Sequence, residues 1–139
     1  MHKVFVDTSA WIAYFSRDDA HHAAVFQAFN SAIEEKSVIC TSNYVFDETV
    51  TRLLYDASWN YTSKFINFIT QSVTGRSIVK LWVDEQIEVE ALGVVEKYHE
   101  HKLSFTDATT VVLVKNFKID SILSLDSDFV KLGLSVLPA

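Results

Sequence analysis

Short, continuous apolar runs alternate along the chain with longer segments whose apolar residues recur at helical spacing. Continuous runs are typical of strands that are buried on both faces, and segments with a 3.6-residue period are typical of helices packed on a sheet. Strands that alternate with helices indicate an α/β fold with a mostly parallel sheet of four or five strands, covered on two faces. The predicted strands are 3–6, 37–40, 77–83, 121–125 and a short 134–137.

The predicted helices span 9–16, 20–35, a segment opened by Thr41 or Ser42, 61–73, 85–100 and 106–116. Thr8 or Ser9 can cap the first of these helices, and Gly75 can end the fourth. Helical spacing predicts buried stripes at Val25, Phe26, Phe29 and Ile33; at Val45, Phe46, Val50, Leu53 and Leu54; at Phe65, Ile66, Phe68 and Ile69; and at Ile87, Ala91, Leu92, Val94 and Val95.

The composition indicates a single globular domain over residues 1–139. The chain is 49% hydrophobic, and with three Gly and one Pro it has no obvious linker. No apolar run approaches the roughly 20 residues of a membrane helix, and Asp7 interrupts the N-terminal run too early for an ordinary signal peptide. Cys40 is the one cysteine, so no internal disulfide forms. We therefore expect a cytoplasmic protein in which Cys40 is a small buried hydrophobe.

The formal net charge of −6 argues against tight, non-specific binding of nucleic acid, because phosphate contacts usually come from clustered Lys and Arg. The twelve basic residues form no run. Acids that hold divalent cations would neutralise much of this charge. Weak, metal-mediated binding of RNA is therefore compatible with the composition.

Four acids occupy positions that a parallel sheet can bring to one edge. Asp7 and Asp126 follow predicted strands directly, Glu48 lies in the helix after the second strand, and Asp107 lies in the first turn of the helix before the fourth. Ligands of open α/β sheets bind outside the carboxyl ends of the strands. We expect these four side chains to converge there, with Asp128 beside Asp126.

Carboxylates gathered in this way repel one another unless a cation compensates them. Mg²⁺ or Mn²⁺ prefers oxygen ligands and retains several waters. One or two such ions can polarise a phosphate and activate water for an in-line displacement. The pattern thus predicts a metal site suited to phosphodiester hydrolysis.

Structural roles are open for the first two acids. Asp7 is placed to cap the helix that follows it. Glu48 and Arg52 are four residues apart, which is the spacing of an ordinary surface ion pair on a helix.

The other acids have structural alternatives too. Asp107 follows Ser104 by three residues, close to a capping-box arrangement, and an acid in this first turn suits the helix dipole. Asp126 and Asp128 can be turn residues that cap a short helix at Phe129. The metal site therefore depends on the joint positions of the acids.

Four motifs in order resemble those of the PIN-domain ribonucleases. VFVDTSAWIA resembles the opening strand and Asp-Thr-Ser of the family, and TSNYVFDETVT resembles its second motif, with a Glu in a helix. LSFTDA resembles the third motif, which ends in Asp-Ala, and SILSLDSDF the fourth, a hydroxyl residue followed by Asp-x-Asp-Phe. The resemblance covers nearly the whole chain.

The resemblance implies a Rossmann-like three-layer α/β/α fold and an Mg²⁺- or Mn²⁺-dependent endoribonuclease that leaves a 5′-phosphate and a 3′-hydroxyl. Many small members of the family are VapC-like toxins that form dimers and are inhibited by a small antitoxin protein. In addition to the RNA substrate, the resemblance therefore implies two protein partners, a second copy of the chain and an antitoxin. The implied metal-binding and catalytic acids are Asp7, Glu48, Asp107 and Asp126, with Asp128 as a further ligand and Ser124, Thr8 and Ser9 in support.

Other functions fit less well. Haloacid-dehalogenase-like phosphatases need a second Asp where this chain has Ser9, and of the pattern of a receiver domain only Asp84 has a counterpart. The five histidines match no structural zinc spacing. A PIN-like scaffold that binds RNA or protein without cutting it is the main alternative. Most aromatic residues have core spacing, but Tyr14 and Phe15 lie near the predicted site and could stack on bases.

Overall fold

A computed structural model describes residues 1–138 and contains one five-stranded sheet. All neighbouring strands are parallel, in the order β3-β2-β1-β4-β5. This confirms the predicted α/β class. The sequence predicted four or five strands, and the sheet has five. The strands are β1 (Lys3–Val6), β2 (Val38–Ser42), β3 (Ile78–Leu81), β4 (Ser121–Leu123) and β5 (Val136–Leu137).

Helices cover the sheet on both faces and complete a three-layer α/β/α arrangement. Helix α1 packs against α2, α3 and α4, and α5 packs against α6. A short 3-10 turn at His99–His101 follows α5. The helices are α1 (Thr8–Phe15), α2 (His22–Glu34), α3 (Asn43–Asp56), α4 (Trp59–Thr74), α5 (Glu85–Lys97), α6 (Phe105–Asn116) and α7 (Asp128–Lys131).

The register of β1 aligns the ends of the central strands. Val6 pairs with Leu123 of β4, and Phe5 pairs with Cys40 of β2. Because parallel strands run in one direction, Asp7 and Ser124 leave the sheet side by side at its carboxyl edge. The sheet therefore places the first and fourth sequence motifs next to each other.

An aromatic cluster on α1 forms the centre of the helical layer. The Trp11 side chain is fully buried, and its ring centroid lies 5.7 Å from those of both Phe29 and Phe65. Its indole N–H donates to Thr41 Oγ1 at 3.2 Å, so its polar atom is also satisfied. This packing fixes α1 against α2, α4 and the end of β2.

The predicted helical stripes are partly wrong at their margins. Phe26, Ile33, Leu54 and Leu92 were expected inside but are 46–59% exposed. The stripes that actually face the core are narrower, with Val25 and Phe29 on α2 and Ile87 and Ala91 on α5. Periodicity identifies the apolar side of a helix, but the neighbouring elements decide how wide a stripe they cover.

The predicted caps are right for the third helix and wrong for the first. Ser42 Oγ accepts the N–H of Val45 and caps α3. At α1 the N-cap position belongs to Asp7, whose side chain makes no capping hydrogen bond, and the helix already includes Thr8 and Ser9. Gly75 follows the last residue of α4, as expected.

Two further expectations concern Cys40 and the membrane. Cys40 is buried and unpaired, and burial raises the pKa of its thiol. Within residues 1–138, no helix combines the length and apolar character that a bilayer crossing needs.

Candidate active site

Asp7 is the buried centre of the site. Its backbone N–H donates to the Leu123 carbonyl at 3.0 Å, which extends the pairing of β1 with β4 by one residue. Its side chain is only 3% exposed. Oδ2 accepts from the Ser124 hydroxyl at 2.9 Å and from the Ser9 hydroxyl at 3.4 Å, whereas the buried Oδ1 has no partner in the described residues.

Two serines tie the end of β4 to Asp7. Ser124 Oγ accepts the N–H of Asp126 at 3.0 Å, and Ser9 Oγ accepts the N–H of Leu125 at 2.9 Å. Each hydroxyl therefore accepts from the backbone and has its proton left for Asp7 Oδ2. The arrangement favours the ionised form of Asp7 and fixes the loop that carries Asp126.

Glu48 reaches the site from α3, two turns after the Ser42 cap. It is half-buried, and among residues 1–138 it forms no ion pair with Arg52. The surface-pair interpretation of the i,i+4 spacing is therefore wrong for this structure. Glu48 is left without a neutralising cation from the chain.

Asp107 lies in the first turn of α6, which packs against α3. Its backbone N–H donates to Ser104 Oγ at 3.0 Å, so the capping interaction predicted from the sequence is present. That bond uses the backbone of Asp107 and the side chain of Ser104. Burial and the other acids raise the pKa of the Asp107 carboxyl group, whereas the side chain of Ser104 lowers it.

The pKa values of Asp7 and Asp107 are both raised above their ordinary value. Burial raises the pKa of Asp7 to about 6; the Ser124 hydrogen bond lowers it, and the charges of Glu48 and Asp126 raise it. Burial likewise raises the pKa of Asp107 to about 7, and the charges of Asp7, Asp126 and Glu48 add to this effect. Asp7 and Asp107 therefore lie within electrostatic range of the other acids, and the shared metal site stays a prediction.

The predicted supporting residues have unequal positions. The Asp128 carboxylate lies 3.6 Å from Lys131 Nζ, and its charge is not among those that shift the pKa of Asp7 or Asp107. Its backbone N–H donates to Asp126 Oδ1 at 2.9 Å, so Asp126 shapes the turn before α7. Thr8 Oγ1 is buried without a partner among the described residues, so Thr8 affects Asp7 through its backbone, which lowers the Asp7 pKa, and not through its hydroxyl.

The donor set suits a hard divalent cation. Asp7 Oδ1 is a buried, unpartnered oxygen amid like charges, and an unsatisfied atom of this kind is costly without a ligand. The acids of the cluster offer carboxylate oxygens, which Mg²⁺ and Mn²⁺ prefer. Within residues 1–138 no three acidic, His or Cys side chains are already close enough to enclose an ion, so the ligands form a loose cluster.

The sequence pattern did not reveal the link from Ser9 to β4. Ser9 was expected to assist Asp7 or cap α1, but its hydroxyl also holds the Leu125 amide. Only the register of β1 and β4 brings these residues together, because 116 positions separate them along the chain. A single small hydroxyl residue such as Ser9 gives no sequence signal for such a contact.

The chain resembles known ribonucleases over most of its length. The family model described as PIN domain matches residues 4–134. A VapC ribonuclease of Archaeoglobus fulgidus is 29% identical over 126 residues, which cover 89% of this chain and 77% of the relative. The 23S rRNA-specific endonuclease VapC20 of Mycobacterium tuberculosis is 27% identical over 131 residues, 94% of each chain.

Solved structures agree with this relationship. The crystal structure of M. tuberculosis VapC20, described as a Sarcin-Ricin loop cleaving toxin, has a TM-score of 0.82 and 26% identity over 95% of this chain and 96% of that one. FitAcB from Neisseria gonorrhoeae shares the fold, with a TM-score of 0.67 and 14% identity over 96% and 95% of the two chains. The match of the family model over residues 4–134, together with the acid cluster at the carboxyl edge of the sheet, shows that this chain belongs to the PIN domain family.

Proposed function

We propose that the protein is a divalent-metal-dependent endoribonuclease. The observation that carries the proposal is the set of four carboxylates that includes Asp7, whose buried Oδ1 has no hydrogen-bond partner in the described residues. The ribonuclease names of its relatives support RNA as the substrate class.

In this proposal Asp7, Glu48, Asp107 and Asp126 hold Mg²⁺ or Mn²⁺, and Asp128 assists from the α7 side. The cation supplies charge neutralisation at the scissile phosphate and activation of a water molecule. Ser124 keeps Asp7 ionised and oriented through its hydrogen bond to Oδ2. Ser9 fixes the Leu125 amide and thereby the loop that presents Asp126.

A toxin role follows from the same relatives. VapC20 is described as a toxin that cleaves the Sarcin-Ricin loop, and the present chain is similar to it over nearly its full length. We therefore extend the proposal to a VapC-like toxin that is inhibited by a small antitoxin protein and acts as a homodimer. The RNA target is expected to be narrow, because the net charge of −6 disfavours indiscriminate binding of RNA.

The test is RNA cleavage by purified protein with Mg²⁺, with Mn²⁺ and with EDTA, on single-stranded RNA, tRNA and ribosomal RNA. We expect cleavage only with metal, and a loss of at least ~100-fold in Asp7→Asn and Asp107→Asn, comparable to the removal of an electrostatic stabiliser from an active site. The matched control is Asp47→Asn, an exposed acid next to Glu48, which should cleave like the wild type.

Calorimetric titration with Mn²⁺ separates the remaining outcomes. Metal binding that is lost in Asp7→Asn, together with cleavage of one substrate, is the expected result. An RNA-cleaving protein that ignores EDTA would contradict the metal site. A protein that neither binds metal nor cuts RNA would instead be a PIN-like binding scaffold.

A further inference from the structure

A pocket of about 380 Å³ lies where the end of α1, the start of α2 and the start of α4 meet. Arg17, His22 and Lys64 contribute basic groups to its lining, and Tyr14 and Phe26 are among its aromatic side chains. No acidic residue lines it. In a chain with a net charge of −6, this local excess of positive charge is an exception.

The pocket lies near the carboxyl edge of the sheet, which is also the edge that carries the acid cluster. Ala32 and Glu35, near the end of α2, line a different cavity together with His2 and Ser121, which lie at the amino ends of β1 and β4. Helix α2 has 13 residues and is therefore about 20 Å long, whereas four-residue β1 spans about 13 Å. The His22 end of α2 thus reaches the carboxyl edge of the sheet.

Helix α1 connects the pocket to Asp7. Asp7 occupies its N-cap position and Phe15 is its last residue, so about 12 Å of helix separate the two regions. A strand of RNA whose phosphate lies at the acid cluster can therefore reach the pocket with a neighbouring nucleotide. Contacts to phosphates fix the register of a protein on a nucleic acid, so a second contact there would position the strand.

The basic groups of the pocket are available to a ligand. Among residues 1–138 neither Arg17 nor Lys64 has a carboxylate partner within ion-pair distance. Asp19, in the same loop as Arg17, instead accepts the N–H of His21. The Nδ1 of His22 lies 2.8 Å from the carbonyl oxygen of Ala13, a contact that requires a proton on Nδ1 and leaves Nε2 for other partners.

The aromatic groups of the pocket already form a stack. The rings of Tyr14 and Phe26 are nearly parallel, with an interplanar angle of 16° and centroids 5.5 Å apart. Phe26 remains 46% exposed. An exposed aromatic ring beside unpaired cations is the arrangement that binds single-stranded nucleic acid, in which a base stacks on the ring and a phosphate meets the cation.

We propose that this pocket is a substrate subsite that binds a single-stranded nucleotide of the RNA next to the cleaved bond. Arg17 and Lys64 bind its phosphates, and Phe26, supported by Tyr14, stacks on its base. The proposal rests on the ribonuclease function proposed above and specifies how that enzyme holds its substrate. An RNA strand is favoured over a protein segment because the lining joins unpaired cations to an exposed ring without any acidic residue.

Binding of a fluorescein-labelled, unstructured RNA oligonucleotide, measured by anisotropy in EDTA, tests the subsite without requiring cleavage. The variant Arg17→Gln/Lys64→Gln should bind more weakly than the wild type. The plot of log affinity against log salt concentration has a negative slope, and its steepness should decrease by about 1.4, since each phosphate contact to a single strand contributes about 0.7. The matched control, Lys97→Gln/Lys115→Gln, removes two cations from the last turns of α5 and α6 and should keep the wild-type slope.

The stacking contact is tested with Phe26→Leu and Phe26→Tyr. Loss of the ring in Phe26→Leu should weaken binding roughly five-fold or more, whereas Phe26→Tyr keeps a ring and should bind like the wild type. Unfolding midpoints of both variants verify that the fold is intact. In the cleavage assay, the Arg17/Lys64 variant should raise KM and leave kcat unchanged, because the pocket contacts a nucleotide that does not itself react and so contributes equally to ground-state and transition-state binding.

The two proposals fail in different ways. RNA cleavage with unchanged RNA affinity in both the Arg17/Lys64 and Phe26→Leu variants would overturn the subsite, keep the ribonuclease, and leave the pocket to a protein partner. Weakened RNA binding without cleavage of any RNA would keep the subsite and overturn the ribonuclease.

Discussion

Asp7 and Trp11 lie one turn apart on α1, and the backbone N–H of Trp11 donates to the Asp7 carbonyl at 3.0 Å. Trp11 is fully buried among aromatic rings, and its one polar atom is bonded to Thr41. Asp7 is almost as deeply buried, but one of its oxygens has no partner among the described residues, and the charges that raise its pKa are of the same sign as its own. Trp11 thus stabilises the folded state, whereas Asp7, one helical turn away, destabilises it.

The contrast indicates that the site and the core have separate roles. Burying Asp7 without a cation costs free energy, because desolvation and neighbouring carboxylates both disfavour its charged form. The aromatic packing around Trp11 stabilises the same helix and offsets that cost. The site can therefore remain a charged cluster that awaits its ligand without loss of the fold.

The largest expected effect is on the core side of this comparison. Trp11→Ala should lower the free energy of unfolding by about 3–5 kcal/mol, because it removes a buried aromatic side chain and leaves a cavity. Urea unfolding followed by circular dichroism measures this change. Trp59→Ala, at a position that is 65% exposed, is the control and should cost much less. Equal losses in the two variants would contradict the assignment of the core.

The second effect concerns the pH dependence of the metal-free protein. In the folded state the pKa values of Asp7 and Asp107 are about 6 and about 7, above their ordinary value of 3.8. Both groups therefore bind protons more tightly in the folded state than in the unfolded state. The stability that these protonated groups contribute is fully present below about pH 4 and is lost as pH rises through about 7. For Asp7 the difference is roughly 3 kcal/mol, at about 1.4 kcal/mol for each pKa unit.

Urea unfolding in EDTA across this pH range measures the loss. Asp7→Asn removes one titrating carboxyl group and should flatten the decline, so that the variant is more stable than the wild type near neutral pH. Asp47→Asn should follow the wild-type curve. Added Mn²⁺ should stabilise the wild type at neutral pH and have little effect on Asp7→Asn. A wild-type stability that rises between pH 4 and 7 in EDTA would exclude the repulsive cluster.

The smallest expected effect is that of Ser124→Ala, which should cost about 1–2 kcal/mol near neutral pH. The substitution removes the hydroxyl that donates to Asp7 Oδ2 and accepts the Asp126 amide. Because this bond lowers the pKa of Asp7, the titration of Asp7, followed by carboxyl ¹³C NMR without metal, should move to higher pH. Ser127→Ala, at an exposed position in the same loop, should change neither quantity.

Much of this arrangement is predictable from the sequence because buried parallel strands have a strong signature. The runs KVFV and SVIC locate β1 and β2, and the acids that follow the strands lie at the carboxyl edge. The end of β2 was not predicted: the strand continues through Thr41 and Ser42. The hydroxyl of the buried Thr41 accepts a hydrogen bond from Trp11 and donates one to the Val6 carbonyl, so its polar atom is satisfied inside the sheet. Contacts between residues so far apart along the chain leave no periodic signal in the sequence.

Other features depend on neighbours that the sequence does not name. Leu92 has the correct helical spacing for a core position, yet it is 59% exposed, so no element among residues 1–138 covers that side of α5. The aromatic residue Tyr14 was recognised as a candidate for base stacking, but Arg17, His22 and Lys64 were not grouped with it. These three residues come from a loop and two helices, and only the fold brings their side chains together.

The direct passage from β2 into α3 gives one part of the chain an unusual sensitivity to length. Ser42 is both the last residue of the strand and the cap of the helix, so no loop lies between the sheet and Glu48. Each helical residue turns the chain by about 100°. A single inserted or deleted residue between Ser42 and Glu48 would rotate the carboxylate away from Asp7, whereas substitutions there would leave its direction unchanged. Among descendants of this sequence, the segment is therefore constrained in length, and at the buried Val45 in composition as well.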